Sequence, residues 1–171
     1  MKPVRNKKSK FNRIFPFFFA GVMTLSFSFP APVFSESLQA PAFSEADLQG
    51  TLQSPAKYQG KILVLYFWAT WCPWCRKDVK NMTEVFRTYH PKGVEFISIS
   101  LDKDLSKLQK FVEEHRIPYP VLFDGKGWEN KIAQLYEVDS TPSFFVVDKQ
   151  GQIVAEGSQA SELRHELSSL T

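Results

Sequence analysis

Lys61 to Trp68 reads KILVLYFW, an almost unbroken apolar run. Its length fits a strand rather than a helix, and a strand that is apolar at consecutive positions is buried on both faces. Central strands of α/β sheets, covered by helices, meet that condition. Soon after the run comes Pro73, and from there to Tyr89 the residues Cys75, Val79, Met82, Phe86 and Tyr89 recur at three- and four-residue spacing. That stripe predicts an amphipathic helix. Pro73 suits its first position, where a missing N–H costs nothing. His90-Pro91 and Gly93 end it. A buried strand feeding a helix N-terminus is also where open α/β sheets place their sites.

The rest of the chain continues the alternation. Val94 to Leu101 is β-branched and alternating, hence a strand. Asp104 to His115 reads as a helix, Tyr119 to Phe123 as a short strand and Gly127 to Tyr136 as a weaker helix. Ser143 to Val147 is a strand, Asp148-Lys149-Gln150-Gly151 a turn, and Gln152 to Glu156 the return of a hairpin. Ala160 to Leu170 forms a last helix with Leu163, Leu167 and Leu170 inward. Residues 36–60, broken by Pro41, Gly50, Pro55 and Gly60, predict an extended lead-in with room for one short strand. The order β-α-β-α-β-α-β-β-α specifies an α/β fold, a central mixed sheet with helices on both faces.

The first 35 residues have a different character. They hold six of the 21 Lys and Arg, none of the 18 Asp and Glu, and eight of the sixteen Phe. A basic stretch (2–13) precedes an apolar one (Phe17 to Phe29), then Pro30, Pro32 and Ser35. This is the layout of a secretory signal, and a stretch of thirteen residues is short for a span of roughly 20. The expectation is a signal peptide cleaved before Glu36, or an N-terminal membrane anchor within residues 14–34. Either leaves residues 36–171 as one domain working outside the cytoplasm, where disulfide chemistry is permitted. That domain holds 15 Lys and Arg against 18 Asp and Glu, which argues against a nucleic-acid partner.

Trp71-Cys72-Pro73-Trp74-Cys75 carries the chemistry. Cys72 falls between the buried strand and the helix, where free N–H groups and the macrodipole favour an anion and hence a thiolate. Cys75, three residues on, can meet it within one turn. One thiol can attack a substrate disulfide and the other can resolve the mixed disulfide. A zinc half-site would need further ligands, and His90, His115 and His165 are scattered, so no metal is expected. Haem attachment needs His after the second cysteine, where Arg76 stands. A structural disulfide would close a very short loop and add little constraint.

The run YFWATWCPWC, with Thr141-Pro142 about seventy residues later, resembles the thioredoxin fold. More narrowly, Phe67 to Cys72, Tyr58-Gln59-Gly60-Lys61 and Asp139 to Phe145 resemble exported TlpA/ResA-like thiol–disulfide oxidoreductases, over roughly residues 40–171. The resemblance implies that Cys72 is the exposed nucleophile, Cys75 the resolving thiol, and the Thr141–Pro142 bond cis. A cis-Pro there would set the Thr141 backbone beside the sulfurs, ready to pair with an extended substrate segment. In such a fold Trp71 shields the site and Trp74, exposed between the cysteines, contributes to a partner-binding patch. Asp78 lies three residues after Cys75 at the edge of the inward stripe. A partly desolvated carboxylate there could take the proton from Cys75, or it could be a solvated Asp paired with Lys77 or Lys80. The family often has Glu at this position, so Asp has a shorter reach.

These residues predict an extracytoplasmic thiol–disulfide oxidoreductase that reduces protein disulfides, cytochrome c maturation being one role the resemblance allows. The Pro-Trp pair between the cysteines carries no charge to stabilise a thiolate, which leans toward a reductant. The partners expected are protein thiols and disulfides and a membrane electron donor, with no cofactor beyond the redox-active Cys72–Cys75 pair. An oxidant or isomerase of the same fold, a non-catalytic binding module and a thiol peroxidase are the alternatives. An intact Cys-x-x-Cys at a helix start argues against the binding module.

Overall fold

The computed structural model describes residues 38–171; the signal or anchor expected in residues 1–35 lies outside the described residues. The lead-in holds two short strands rather than one, β1 (Glu45–Ala46) and β2 (Leu52–Gln53), paired antiparallel. The turn between them is made by Asp47, whose Oδ1 accepts hydrogen bonds from the N–H groups of Gln49 and Thr51, and by Gly50 at φ +80°. Two-residue strands are too short to show a period, so only this turn chemistry could have revealed them.

The main sheet has five strands. β3 (Ile62–Trp68) is central and buried at every position. β4 (Val94–Ser100) runs parallel beside it, and β5 (Val121–Leu122) lies parallel beyond β4. On the other side β6 (Ser143–Val147) pairs antiparallel with β3, and β7 (Ile153–Gly157) pairs antiparallel with β6. The order β5-β4-β3-β6-β7 is the mixed sheet that the sequence specifies.

Four helices cover it: α1 (Pro73–Tyr89), α2 (Leu105–His115), α3 (Lys131–Leu135) and α4 (Ala160–Leu170). Alternate residues of β3 meet different layers. Trp68 packs against Phe111 of α2 at 5.5 Å, and on the same face Phe96 meets Phe86 of α1 at 5.3 Å. The Tyr89 hydroxyl donates to the Arg164 carbonyl at 3.1 Å and ties α1 to α4. On the opposite face Phe67 packs on Tyr136, just past α3, and Tyr136 packs on Phe145 and Phe43. Helices therefore lie on both faces, and the arrangement is thioredoxin-like.

The weak helix expected over Gly127 to Tyr136 is two pieces, a 3₁₀ turn (Gly127–Glu129) and α3. Asn130 divides them. It is non-helical, and its Oδ1 accepts from the N–H groups of Ile132 and Ala133, so it caps α3 instead of continuing a helix.

Candidate active site

The loop from β3 to α1 is clamped from below by a buried carboxylate. Asp102 accepts hydrogen bonds from the Thr70 N–H at 3.0 Å, the Thr70 hydroxyl at 2.6 Å and the Ser100 hydroxyl at 2.8 Å. The Leu101 N–H adds a bond to the Trp68 carbonyl at 2.8 Å. These contacts fix residues 68–72 at the carboxyl end of the central strand, where sites in open α/β sheets sit.

Cys72 is the N-cap of α1. Its backbone is extended, and its sulfur accepts a hydrogen bond from the Cys75 N–H at 3.2 Å. Pro73 brings no N–H of its own, and no acidic residue occupies the first turn. The sulfur thus takes the place an N-cap oxygen usually fills, at the end of the helix that favours negative charge. The Cys72 thiol in turn donates to the Thr141 carbonyl at 3.4 Å, and the Thr141–Pro142 bond is cis. The two thiols are unbridged. Cys72 is only 3% exposed and Cys75 1%. The exposed nucleophile implied by the resemblance is thus corrected. The Cys72 sulfur is turned inward, between the Cys75 N–H and the Thr141 carbonyl, so attack on a disulfide requires local opening or close docking.

Burial pushes the Cys75 thiol up from 9.0 to about 12, and the hydrogen bond with Cys72 adds to it. Desolvation disfavours the thiolate, and the hydrogen bonds from Ala69 and Thr141 that favour it do not offset the burial.

The other expected residues divide. Thr141 and Pro142 are brought to Cys72. Trp71 and Trp74 flank the site but stand open, 51% and 67% exposed, so Trp71 shields it less than the resemblance implies. Trp71 is held to one side because its Nε1 donates to the Leu101 carbonyl at 3.2 Å and its ring packs on Trp128 at 6.1 Å. Lys77 sits over the Trp74 ring at 4.7 Å. Asp78 is half-buried and contacts neither sulfur. Nor does it pair with Lys77 or Lys80. Its Oδ2 accepts from the Ala160 N–H at 2.8 Å and its Oδ1 from the Asn81 side chain at 2.9 Å.

Sequence reasoning missed Asp102 and Trp128. A carboxylate directly after an apolar strand was the only available signal for Asp102, since its partners Thr70 and Ser100 come from the loop after β3 and from β4. Trp128 sits in the segment read as a plain helix. With Trp71, Lys103 and Gly127 it walls a cleft of about 370 Å³ beside the site.

The comparisons with known proteins agree with this geometry. Residues 37–156 match the AhpC/TSA family. The chain is 36% identical over 126 residues to the thiol–disulfide oxidoreductase ResA of Bacillus anthracis, covering 72% of this chain and 71% of that one. The thioredoxin domain of a thiol–disulfide oxidoreductase from Bacteroides vulgatus superposes with a TM-score of 0.71 at 25% identity, covering 78% of this chain and 96% of that one. A thiol:disulfide interchange protein DsbE from Chlorobium tepidum superposes with a TM-score of 0.68 at 25% identity, covering 78% and 92%. The chain belongs to the AhpC/TSA family and, with two thiols meeting at the start of α1, is a thiol–disulfide oxidoreductase of the thioredoxin fold.

Proposed function

We propose that this oxidoreductase works outside the cytoplasm as a reductase of protein disulfides, through Cys72 as nucleophile and Cys75 as resolving thiol. The carrying observation is the Cys72 sulfur at the N-cap of α1, 3.2 Å from the Cys75 N–H and 3.4 Å from the Thr141 carbonyl. The Cys72 thiolate attacks one sulfur of the substrate disulfide, and the other leaves as a thiolate that takes up a proton. Cys75 then gives up its proton and attacks Cys72, the S–S bond to the substrate breaks, and the substrate departs as a dithiol. The enzyme is left with a Cys72–Cys75 disulfide that a membrane electron donor re-reduces. No cofactor beyond this pair enters the cycle.

The direction is favoured by the uncharged pair between the cysteines. Strong oxidants of this chemistry owe their potential to a stabilised reduced form. Here neither Pro73 nor Trp74 supplies a charge that would stabilise the nucleophilic thiolate further. Trp71, Trp74, Thr141 and Pro142 would receive an extended substrate segment by backbone pairing. Reduction of apocytochrome cysteines before haem attachment is the role we favour within this class. Asp78 is the proposed proton acceptor for Cys75, acting across the gap that separates them.

Insulin reduction with dithiothreitol tests the reading. The full chain should accelerate it and Cys72→Ser should fall to background; an undiminished Cys72→Ser would exclude this mechanism. Joining residues 1–35 to alkaline phosphatase tests the location, an inactive cytoplasmic fusion contradicting it.

A further inference from the structure

Trp71 and Trp128 are 51% and 44% exposed, and their ring centroids lie 6.1 Å apart with the planes tilted by 57°. Single exposed apolar side chains are ordinary, but a contiguous group marks a surface that meets a partner. The two indoles line the cleft of about 370 Å³ beside the site. Its walls are fixed in advance. The Trp71 Nε1 donates to the Leu101 carbonyl at 3.2 Å, and Thr70 at the cleft edge is clamped by Asp102. A Cβ on Gly127 would stand 2.7 Å from the Lys103 Cε. Glycine at this position therefore lets the lysine stem lie against the backbone and line the cleft with methylenes.

The place of the cleft says what fills it. β3 lies between β4 and β6. Cys72 follows β3, Thr141 and Pro142 lead into β6, and Leu101, which holds Trp71, follows β4. Cys72 therefore has Thr141 on one flank and the indoles on the other. During exchange the substrate protein is joined to Cys72 through sulfur, so the residues next to its reacting cysteine are the chain held beside the cleft. A volume of about 370 Å³ is near the lower end of the roughly 300–1,000 Å³ of ligand pockets, which suits a side chain rather than a whole peptide segment.

We propose that the Trp71–Trp128 cleft is a specificity subsite of the exchange reaction, taking a large apolar side chain, aromatic above all, that the substrate protein carries one or two residues from its reacting cysteine. Thr141 receives the backbone on one flank of Cys72 and the indoles receive the side chain on the other. Two tilted rings offer an aromatic occupant the offset and edge-to-face contacts that such pairs prefer. Trp128 is the specificity-determining residue, since no step of the thiol exchange itself uses it.

This deepens the exchange reading and rests on it, and the test separates the two. The probes are short peptides with one cysteine, each disulfide-bonded to a chromogenic aromatic thiol. Cys72 attacks the peptide sulfur, and the more acidic aromatic thiol leaves as a coloured thiolate. The peptides carry Phe or Ser one or two residues before or after the cysteine. Each rate is divided by that with dithiothreitol, which has no subsite. The wild-type full chain should favour Phe over Ser on the order of tenfold at one of these positions. In Trp128→Ala that ratio should fall to near one, and Trp128→Phe should keep part of it. An indole with only a structural role would slow both peptides alike and leave the ratio at its wild-type value, which would overturn the subsite. Equal rates for Phe and Ser at every position in the wild type would overturn it too, with no variant needed. If no peptide releases colour faster with the wild type than with Cys72→Ser, the exchange reading fails and the subsite falls with it.

Discussion

The Asp78 carboxylate accepts the Ala160 N–H at 2.8 Å, so one residue on α1 satisfies the first free donor of α4. Asp78 therefore has a structural duty besides any part in proton transfer, and two substitutions separate them. Asp78→Asn keeps an oxygen for Ala160, whereas Asp78→Ala removes it. The alanine variant should lose about 0.5–2 kcal/mol in urea denaturation, as for other lost helix caps, and the asparagine variant distinctly less. Both should slow resolution by Cys75. Equal destabilisation, or a wild-type resolution rate in Asp78→Asn, would count against this division.

The buried thiol makes an alkaline prediction. Folding raises Cys75 from 9.0 to about 12. The unfolded chain therefore releases this proton first as the pH climbs. A group raised in the folded state contributes fully below its unfolded value and loses that contribution as pH rises through its folded value. The reduced protein should lose stability between about pH 9 and 12 more steeply than Cys75→Ser, which keeps the raised tyrosines but lacks this thiol. Urea midpoints of the two proteins across that range check this; parallel curves would contradict it.

Asp102 holds the catalytic loop through two hydrogen bonds from Thr70 and takes a third from Ser100 of β4. Asp102→Ala strands the Thr70 N–H and the Thr70 and Ser100 hydroxyls in the interior. It should cost at least about 1–3 kcal/mol by denaturant unfolding and slow the attack of Cys72. A loss below about 0.5 kcal/mol, typical of an open surface position, would mean that the clamp does not hold the loop.

Trp74 is wide open, with the Lys77 ammonium over its ring. Trp74→Ala should leave stability within about 0.5 kcal/mol of the original. Its effect should appear as a raised KM for insulin, with the rate toward a small aromatic disulfide preserved. An equal effect on both substrates would place Trp74 in the chemistry rather than in docking.

The long elements were legible because their signals are local and repeated. β3 announces itself by seven consecutive apolar letters and α1 by its stripe from Cys75 to Tyr89. The cysteine pair was legible for the same reason. What escaped depends on partners far apart in the chain. Asp78 looks solvated until α4 folds back and presents the Ala160 N–H. Asp102 matters only because Thr70 arrives from the loop after β3, 32 residues away. The inward turn of Cys72 follows from the Thr141 carbonyl, 69 residues away.

The reduction potential of the Cys72–Cys75 pair, from equilibration in defined thiol buffers, tests the central claim most directly. A cysteine pair whose intervening Pro73 and Trp74 carry no charge to stabilise a thiolate predicts a reducing potential, near the −270 mV or so of thioredoxin. A value near about −120 mV, that of a strong disulfide donor, would contradict the reductase reading and reverse the direction of electron flow.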